Sequence, residues 1–387
     1  MFSSTLTDSF QKLETPFYYY DLGLLRATLS ACRNASERYG YKVHYAMKAN
    51  FNTRVIKEIC AFGMGADCVS GNEVKAAIAN GFDALKIVFA GVGKTDKEIN
   101  LALAAGIFCF NVESAQELEV INELAASKGL VAKVAIRVNP NVDAHTHHYI
   151  TTGLDENKFG INIWQLNDVV AVLRKSRNIE FIGIHVHVGS QITDMEVFKS
   201  LCIRVNELNN WFDERSFKVR VLNVGGGLGV NYYSPDQENI CDFDSYFKVF
   251  YDFLEVRQGQ EVHFELGRAL VAQCAALIAR VLYVKPGQKK SFLVLDAGMT
   301  ELMRPMLYQA YHQLDNLSRG GAVAETKYDV VGPICETSDC FRKDVLFPAS
   351  FRGDLIAVRT TGAYGEVMSS AYNLRDKVDS VFSDEVL

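Results

Sequence analysis

The stretch KVHYAMKAN, residues 42–50, decides how the rest of the chain is interpreted. It begins with the β-branched and aromatic residues that are typical of a buried strand, and it ends near Lys48, just before a helix-like segment. A lysine at the end of an isolated surface strand is usually a solvated side chain. Whether Lys48 has a chemical role therefore depends on the fold that surrounds it.

Seven further segments have the same strand-like composition. They are GADCVS (65–70), ALKIVFAG (84–91), GIFCFNVES (106–114), KVAIRVNP (133–140), FIGIHVHVGS (181–190), VRVLNVGGG (219–227) and EVHFELGR (261–268). Segments with apolar residues at helical spacing lie between them, and another helix is predicted near 21–39. This alternation predicts an α/β fold, a (β/α)8 TIM barrel. An open α/β sheet is the alternative, because strand order cannot be read from sequence.

Three of the predicted helices begin with a capping-box pattern, in which Ser or Thr is followed three residues later by Glu. The pairs are Ser70 with Glu73, Thr95 with Glu98, and Ser114 with Glu117. These pairs predict where the chain turns from a strand into a helix.

The composition of the chain changes after about residue 273. Apolar and polar residues alternate between Gly and Pro turns, which predicts a C-terminal antiparallel β domain. The stretch TPFYYYD (15–21) is predicted to add a strand to that domain. We therefore predict a barrel over residues 24–273 and a β domain built from residues 1–23 and 274–387.

The overall composition excludes several classes of function. A net charge of -6 argues against a nucleic-acid or anionic-membrane partner, since both favour a basic surface. No apolar run has the length of a membrane helix, and the first residues lack a signal-peptide pattern. Nine cysteines without framework or zinc-knuckle spacing predict a reducing compartment, the cytoplasm by default, and no structural metal.

Polar residues collect at the predicted strand ends, which form the active-site face of a barrel of this type. They are Lys48, Asp67, Ser70, Arg137, Asn139, His185, His187, Ser190, Gly225–Gly227, Glu265 and Arg268. The glycine triplet, with Gly267 and Arg268, lies where barrels commonly bind phosphate through backbone N–H groups. A buried lysine near a phosphate site indicates Schiff-base chemistry with pyridoxal phosphate. Glu265 could then keep the pyridine nitrogen protonated, and His187 could cover the ring.

Each of these residues also has a purely structural interpretation. The alternatives are a solvated Lys48, a core histidine that faces the outer helices at either His185 or His187, a helix cap at Ser70, and an ion pair between Arg137 and Asp67. The triplet His145, His147 and His148 could suggest metal binding. It lies in a long polar loop (139–164), so we interpret these histidines as solvated.

The chain resembles the fold-type III pyridoxal-phosphate decarboxylases, and within them the diaminopimelate decarboxylases. The likeness extends from TPFYYYD to about SSAYN (369–373). The matching motifs are YAMKAN, GADCVSGNE, KIVFAGVGKT, FNVES, RVNP, TGLDENKFGI, HVHVGSQI, NVGGGLG, ELGR, MRPMLY, GPICETSD and TGAYG. The resemblance implies an alanine racemase-like two-domain fold. It also implies decarboxylation of meso-2,6-diaminopimelate to L-lysine and CO2, the last step of lysine biosynthesis.

The resemblance implies roles for individual residues as well. Lys48 would bind pyridoxal phosphate as a Schiff base, His187 would stack on its ring, and Glu265 would pair with its pyridine nitrogen. The other cofactor-binding residues would be Ser190, Gly226, Gly227, Leu266, Gly267, Arg268 and Tyr364. The substrate-binding residues would be Arg268, Arg304, Tyr308, Glu336 and Tyr364.

The resemblance also implies a homodimer with shared active sites. Cys335 would return a proton to the substrate after CO2 departs, and Glu336 would contact the distal amino-acid end of the substrate. Both residues would come from the partner subunit.

The sequence departs from the pattern of the resembled family in three places. ELGR stands in place of EPGR, so Leu266 replaces a proline and the backbone N–H geometry could be looser. Asn72 replaces a glycine before Glu73, with little expected effect. The tail YNLRDKVDSVFSDEVL lacks the basic, proline-containing ending of that family, so the resemblance does not predict which residues the tail contacts.

Other functions remain possible at the level of sequence. Related decarboxylases act on ornithine, arginine or carboxynorspermidine, but those substrates lack one or both of the charged groups at the far end. The motifs GPICETSD and MRPMLY favour diaminopimelate as the substrate. A non-catalytic pyridoxal-phosphate carrier would lack residues 274–387. An alanine racemase would place an arginine against the ring nitrogen, where this chain has Glu265.

Overall fold

The computed structural model describes residues 2–142 and 158–386 of the chain. The chain divides into two compact units. The barrel unit comprises Leu29–Gly229 and Asp242–Leu270. The sheet unit comprises Met1–Thr28, Val230–Cys241 and Val271–Leu387.

The described residues form the following elements, numbered in chain order. The strands are β1 (Phe17–Tyr20), β2 (Lys42–Ala46), β3 (Gly65–Cys68), β4 (Ile87–Phe89), β5 (Cys109–Val112), β6 (Ala132–Arg137), β7 (Ile179–His185), β8 (Val221–Asn223), β9 (Glu261–Leu266), β10 (Ala275–Pro286), β11 (Ser291–Leu295), β12 (Leu314–Asn316), β13 (Ala324–Val331), β14 (Cys340–Pro348), β15 (Leu355–Val358) and β16 (Asp379–Phe382). The helices are α1 (Ser4–Phe10), α2 (Leu22–Glu37), α3 (Thr53–Ala61), α4 (Gly71–Ala79), α5 (Asp96–Ala105), α6 (Ala115–Ser127), α7 (Leu166–Lys175), α8 (Met195–Asp213), α9 (Phe243–Phe253), α10 (Arg268–Val271), α11 (Arg304–Tyr308) and α12 (Ser383–Val386).

The barrel unit is a closed barrel of eight parallel strands, β2 to β9, arranged in chain order. Each of the eight predicted strands is present, and α2 is the helix predicted before the first of them. β9 pairs with β2 in parallel, with Lys42 opposite His263 and Tyr45 opposite Leu266. This closing pair confirms the predicted barrel and excludes the open sheet.

The predicted helix starts are correct, although only one capping box is complete. Thr95 and Glu98 exchange both hydrogen bonds at the start of α5. At α4, Ser70 accepts from the backbone N–H of Glu73, but the Glu73 carboxylate accepts from Val69 rather than from Ser70. The same arrangement recurs at Ser114, Glu117 and Glu113. In these two places the glutamate ties the helix to the residue that ends the preceding strand segment.

The sheet unit contains a mixed sheet with the strand order β12-β15-β10-β11-β13-β14. As predicted, the stretch TPFYYYD supplies a strand, and β1 pairs antiparallel with β10. The predicted antiparallel domain is present as a mixed sheet: most of its strand pairs are antiparallel, whereas β11 pairs with β13 and β1 pairs with β16 in parallel. A parallel pair needs a long crossover connection, and α11 and β12 lie in the connection between β11 and β13.

The atypical C-terminal tail is an integral part of the sheet unit. β16 lies against β1, and the rings of Phe382 and Tyr20 stack with their centroids 5.1 Å apart. The Ser383 hydroxyl accepts a hydrogen bond from the backbone N–H of Leu22 at 3.1 Å. The tail therefore covers the outer edge of β1, where unpaired backbone groups would otherwise remain.

The segment Val230–Cys241 lies between barrel elements in the chain but belongs to the sheet unit. Its Asp236 carboxylate accepts hydrogen bonds from Arg359, and the Glu238 carbonyl accepts one from Gln273. Charged hydrogen bonds to a buried arginine hold this segment in place. Within the described part of the chain, no helix combines the length and the apolar character that crossing a membrane requires.

Candidate active site

Lys48 lies in a tight turn at the C-terminal end of β2. Residues Met47–Ala49 form a single 3-10 turn, and the Tyr45 hydroxyl donates to the Asn50 carbonyl at 2.8 Å, which ties the two ends of the turn together. The Lys48 Nζ atom lies 2.5 Å from Asp67 Oδ2 on β3. The Lys48 side chain is 37% exposed, whereas the Asp67 side chain is fully buried. The turn therefore presents a held but accessible amine at the strand-end face.

Asp67 is a buried acid between two charged groups. Burial raises its pKa, and the nearby negative charge of Glu265 raises it further, while Lys48 acts in the opposite direction. A carboxyl with a raised pKa is a ready proton acceptor for the ammonium it contacts. Sequence reasoning placed Asp67 at this face but offered Arg137 as its partner, and the structure gives it Lys48 instead.

Glu265 on β9 is held by three side chains from three other barrel strands, β5, β7 and β8. Its Oε1 atom accepts from Asn111 Nδ2 at 3.0 Å and from Asn223 Nδ2 at 2.7 Å. Its Oε2 atom lies 3.0 Å from His185 Nε2. Burial raises the pKa of Glu265, but the charge and hydrogen bond of His185, together with the charge of Lys48, bring the pKa below its usual value. Glu265 is therefore an ionised carboxylate at neutral pH.

Asn111 and Asn223 were missed by sequence reasoning. They occupy the interior strand segments CFNV and VLN, where all the residues are buried. A buried asparagine within such a strand needs hydrogen-bond partners inside the barrel, and this was the signal available in the sequence.

His185 and His187 both belong to the strand-end cluster. His185 is buried against Glu265, and His187 Nδ1 accepts from the backbone N–H of Gly226 at 3.2 Å. The expectation that one of them is held among the outer helices is therefore wrong. Burial lowers the pKa of His187 to about 3, and the charges of Arg137 and Lys48 add to this effect. His187 is thus a neutral imidazole with Nδ1 as an acceptor.

The glycine triplet after β8 has a backbone conformation and surroundings that favour glycine. Gly225 and Gly227 have φ angles of 68° and 114°. A Cβ atom at Gly226 would lie 2.0 Å from the Glu265 carbonyl oxygen. The Asn223 side chain accepts from the N–H of Gly225 at 3.0 Å. The absence of side chains keeps the backbone of this turn open at the barrel end, as the close approach of a phosphate requires, while the N–H groups of Gly225 and Gly226 donate to Asn223 and His187.

Ser190 and Arg268, both predicted to bind the cofactor, contact each other. The Ser190 hydroxyl accepts from Arg268 Nε at 3.3 Å and from Nη2 at 3.1 Å. Leu266 ends β9, is buried, and pairs in register with Tyr45. A Cβ atom at Gly267 would lie 2.9 Å from the Ala49 Cβ, beside the Lys48 turn. The loops after β7 and β9 are thus joined at the same face as Lys48.

Arg137 forms an ion pair with Glu113, at 2.7 Å, so the expected pair with Asp67 is wrong. The Glu113 carboxylate also accepts from the backbone N–H groups of Gly91 at 2.8 Å and Gly160 at 3.0 Å. Although burial raises the pKa of Glu113, the Arg137 charge and these bonds lower it overall. Sequence reasoning missed Glu113, which joins three loops at the strand-end face.

In the sheet unit, Arg304 begins the short helix α11 and Tyr308 ends it. Arg304 is buried, and its Nη1 atom lies 2.9 Å from both the Tyr232 hydroxyl and His312 Nε2. Tyr308 is partly buried. Tyr232 and His312 were not predicted as functional residues.

Cys335 and Glu336 are exposed in a short loop of the sheet unit. The buried Asp339 fixes this loop, because its carboxylate accepts from the backbone N–H groups of Met299 at 2.7 Å and Ile334 at 2.8 Å. The backbone N–H of Cys335 also donates to the side chain of Asn373 at 2.8 Å. The loop is therefore rigidly anchored while the two predicted functional side chains point away from the core of their own unit.

Tyr364 has a strained backbone, with a φ of 57° in the left-handed region. It follows Gly362, at which a Cβ atom would lie 1.9 Å from the Val271 carbonyl oxygen. Such strain in a residue other than glycine is concentrated at functional sites. Tyr364 shares a positive φ with eight other non-glycine residues in the described part of the chain, so the angle shows that the surrounding structure constrains its backbone.

Two other features were compared with this site: metal-binding side chains and a cavity at the opposite end of the barrel. The described residues contain no group of three or more His, Cys, Asp or Glu side chains arranged to hold a metal ion, and His145, His147 and His148 lie outside the described residues. A cavity of about 350 Å³ opens beside His44 and His263, at the end of the strands opposite to Lys48. It shares no lining residue with the strand-end cluster.

The barrel unit brings together the predicted cofactor residues Lys48, His187, Ser190, Gly226, Gly227, Glu265, Leu266, Gly267 and Arg268 at the strand-end face. The sheet unit carries Arg304, Tyr308, Cys335, Glu336 and Tyr364. An accessible amine, an ionised carboxylate, a neutral imidazole and a glycine turn beside an arginine are the groups that a phosphorylated pyridine aldehyde needs. The residues present therefore fit pyridoxal phosphate.

Comparison with known proteins extends this result over the whole chain. A family model described as the pyridoxal binding domain of pyridoxal-dependent decarboxylases matches residues 25–272. The chain is 55% identical over 381 residues to the diaminopimelate decarboxylase of Bacteroides thetaiotaomicron, and the match covers 98% of both proteins. It is 41% identical over 374 residues to the diaminopimelate decarboxylase of Pseudomonas aeruginosa, covering 97% of this chain and 89% of that protein.

Solved structures give the same result. The diaminopimelate decarboxylase of Helicobacter pylori, complexed with L-lysine, matches with a TM-score of 0.90 and 37% identity over 97% of this chain and 93% of that one. A lysine/ornithine decarboxylase of Vibrio vulnificus matches with a TM-score of 0.85 but only 22% identity, which shows a shared fold alone. The two decarboxylases have nearly equal TM-scores, so it is the sequence identity that places this chain closer to the diaminopimelate decarboxylase.

Proposed function

The chain belongs to the diaminopimelate decarboxylase family of the pyridoxal-dependent decarboxylases, and on that basis we propose its reaction and the role of its residues. The protein decarboxylates meso-2,6-diaminopimelate to L-lysine and CO2, the last step of lysine biosynthesis. The observation that carries the proposal is 55% identity to a diaminopimelate decarboxylase over 98% of both chains. Decarboxylases of other basic amino acids share the fold at 21–22% identity, which supports no statement about substrate.

The cofactor of the family is pyridoxal phosphate. When bound, it supplies a conjugated pyridinium ring that accepts the electron pair released as the carboxylate leaves. Lys48 would attach it through its amine, and His187 would cover one face of its ring. Its phosphate would be held by Ser190, the N–H groups of Gly226 and Gly227, the backbone of Leu266, Gly267 and Arg268, and Tyr364.

Lys48 acts as a nucleophile only when its amine has lost its proton. Asp67, 2.5 Å away and with a raised pKa, is placed to accept that proton. The ion pair also restricts the long Lys48 side chain, so that less rotamer entropy is lost when the amine reacts. The ion pair with Asp67 therefore gives the partly exposed Lys48 side chain a defined position.

Glu265 would hold a proton at the pyridine nitrogen. Its carboxylate is ionised because the two asparagine amides and His185 favour the charged form. A neutral acceptor would bind the protonated nitrogen less strongly, and the ring would then withdraw electrons less well. The hydrogen bonds from three strands also fix the direction of the carboxylate.

The substrate would be bound by Arg268, Arg304, Tyr308, Glu336 and Tyr364. Diaminopimelate carries an ammonium and a carboxylate at each end, so an arginine and a glutamate suit the end that does not react. Cys335 would donate the proton that replaces CO2 on the reacting carbon. The exposure of Cys335 and Glu336 in their own chain supports a role in the site of a partner subunit.

The protein would therefore act as a homodimer with shared active sites, and no nucleic-acid or membrane partner is proposed. We place it in the cytoplasm. In support of a reducing compartment, none of the nine cysteines, all of which lie in the described part of the chain, forms a disulfide.

A substrate panel tests this function. The purified protein, supplied with pyridoxal phosphate, is incubated separately with meso-diaminopimelate, ornithine, arginine and carboxynorspermidine, and CO2 release and the amine product are measured. We expect CO2 and L-lysine from diaminopimelate in equal amounts. The Lys48→Ala variant is the control for CO2 release that does not depend on catalysis by Lys48. Faster decarboxylation of any other substrate in the panel would contradict the proposal.

A further inference from the structure

One nitrogen of the buried Arg304 guanidinium is held between two acceptors. Nη1 donates to the Tyr232 hydroxyl and to His312 Nε2, each at 2.9 Å. The guanidinium carbon lies 4.9 Å from the centre of the Tyr232 ring, within the range of a cation–π interaction. Arg304 is 5% exposed and His312 is 4% exposed, so solvent competes little for these bonds. All three residues belong to the sheet unit.

The chemistry of the contacts defines the tautomer of His312. Its Nδ1 atom lies 2.8 Å from the backbone carbonyl oxygen of Arg359. A carbonyl oxygen can only accept, so Nδ1 carries the hydrogen, and a guanidinium can only donate, so Nε2 must be an acceptor. His312 is thus a neutral imidazole that receives a bond from Arg304 on one side and donates one to the backbone on the other.

The carbonyl that orients His312 is itself firmly held. The Arg359 guanidinium donates to the carboxylates of Asp236 and Asp315, each at 2.6 Å, and the Arg359 side chain is 2% exposed. The Arg359 backbone N–H donates to the Gln313 carbonyl at 2.9 Å. His312 therefore connects Arg304 to a rigid part of the sheet unit.

We propose that His312 is a positioning residue for substrate binding, which holds Arg304 in the orientation that receives a carboxylate of the substrate. The inference rests on the proposed function, which assigns Arg304 to the substrate. A guanidinium that is already oriented loses less side-chain entropy when a carboxylate binds, and its planar donors are presented in the right direction. Loss of the orienting bond should therefore weaken substrate binding more than it slows the chemical step.

Two amide substitutions separate this role from a merely structural one. His312→Gln places an acceptor near the position of Nε2 and so can still receive the bond from Arg304. His312→Asn places a donor near the position of Nδ1 and so can still bond the Arg359 carbonyl, but it does not reach Arg304. Steady-state constants for diaminopimelate are measured for both variants and the wild type, and circular dichroism checks that each is folded.

Positioning predicts that His312→Asn raises KM roughly tenfold to a hundredfold, as expected for loss of a charge-assisted hydrogen bond, with a change in kcat of about threefold or less. His312→Gln should restore KM to within about threefold of the wild type. A structural role predicts the reverse order, with His312→Asn closer to the wild type. That reverse order, or equal KM values in all three proteins, would overturn the inference.

Tyr232→Phe is a second variant in case the substitutions at residue 312 prevent folding. It removes the other acceptor of Nη1 and keeps the ring beneath the guanidinium. KM should rise by roughly threefold to tenfold with kcat nearly constant, and an unchanged KM would count against the inference. If the wild type does not release CO2 from diaminopimelate, the proposed function fails and the inference fails with it. If the wild type is active, the proposed function stands, and the KM values of the His312 and Tyr232 variants test only the positioning role of His312.

Discussion

Lys48 Nζ lies 2.5 Å from Asp67 Oδ2, and this contact follows from the register of two neighbouring barrel strands. β2 and β3 pair in parallel with Ala46 opposite Asp67, so the turn that carries Lys48 begins directly beside the carboxylate. Parallel strands end on the same side of a barrel, and their terminal side chains meet there. An acid and an amine 19 residues apart are joined in this way at the active-site face.

Replacing Lys48 with alanine should abolish the visible absorption of covalently bound pyridoxal phosphate and lower turnover by several orders of magnitude, because no other group would supply the amine. Absorption spectra and CO2 release measure the two effects. Lys42→Ala is the matched control, since Lys42 is an exposed lysine at the opposite end of the same strand. A Lys48→Ala protein that kept both absorption and activity would refute the assignment.

Replacing Glu265 with glutamine should leave pyridoxal phosphate bound but slow decarboxylation roughly a hundredfold or more. The amide oxygen can still accept from Asn111 and Asn223, so these two hydrogen bonds are kept, but the amide cannot hold a proton at the pyridine nitrogen as a carboxylate does. Cofactor content and single-turnover rates separate the two effects. Near-normal rates with full cofactor content would show that Glu265 has only a structural role.

The stability that Glu265 contributes should depend on pH in a defined direction. Its pKa is lowered in the folded protein, so its contribution is fully present above the unfolded-state value of about 4.3 and is lost as the pH falls towards the folded-state value. The free energy of unfolding of the wild type should thus exceed that of Glu265→Gln by a constant amount between about pH 5.5 and 7.5, and the difference should narrow below about pH 4.

Urea unfolding at several pH values measures this difference. Glu325→Gln, at an exposed position on β13, controls for the loss of one negative charge. A difference between the wild type and Glu265→Gln that widened as the pH fell would contradict the lowered pKa.

Glu336→Ala should reduce kcat/KM for diaminopimelate by an amount equivalent to about 2–5 kcal/mol, while cofactor binding is retained. The proposed contact is with the distal ammonium of the substrate, and removal of its carboxylate leaves that charge without a partner. Glu325→Ala serves as the matched exposed control. If kcat/KM were unchanged, Glu336 would not lie in the substrate pocket of the dimer.

Mixed dimers test whether the site is shared between subunits. Lys48→Ala and Cys335→Ala homodimers should each be inactive, but a mixed dimer combines the intact Lys48 of one chain with the intact Cys335 of the other at one of its two sites. Random exchange makes about half of the dimers mixed, so about a quarter of all sites should recover. The two proteins are refolded together and apart, and their activities are compared. Confirmed exchange without recovery would mean that the two residues do not act in trans.

The amino-acid sequence by itself determined the strands and helices of the barrel unit and placed its candidate reactive groups at the strand ends. Buried strands and amphipathic helices are encoded by local apolar periodicity, and Lys48 and Glu265 could be placed at the face where catalysis occurs because they end strands. The glycine triplet was also visible in the sequence, and Gly225 and Gly227 have the positive φ angles that favour glycine.

Only the tertiary structure decided which side chains hold those groups. Glu265 is bound by Asn111 from 154 residues away and by Asn223 from 42 residues away, and such partners follow from strand register and barrel closure. The same applies to Glu113 beneath Arg137, to the parallel pairing of the C-terminal tail, and to His312 against Arg304. Hydrogen bonds between distant segments depend on distances and directions that local periodicity does not encode. The candidate reactive residues could thus be placed at one face of the barrel from the sequence, whereas the residues that orient them became visible only in the folded chain.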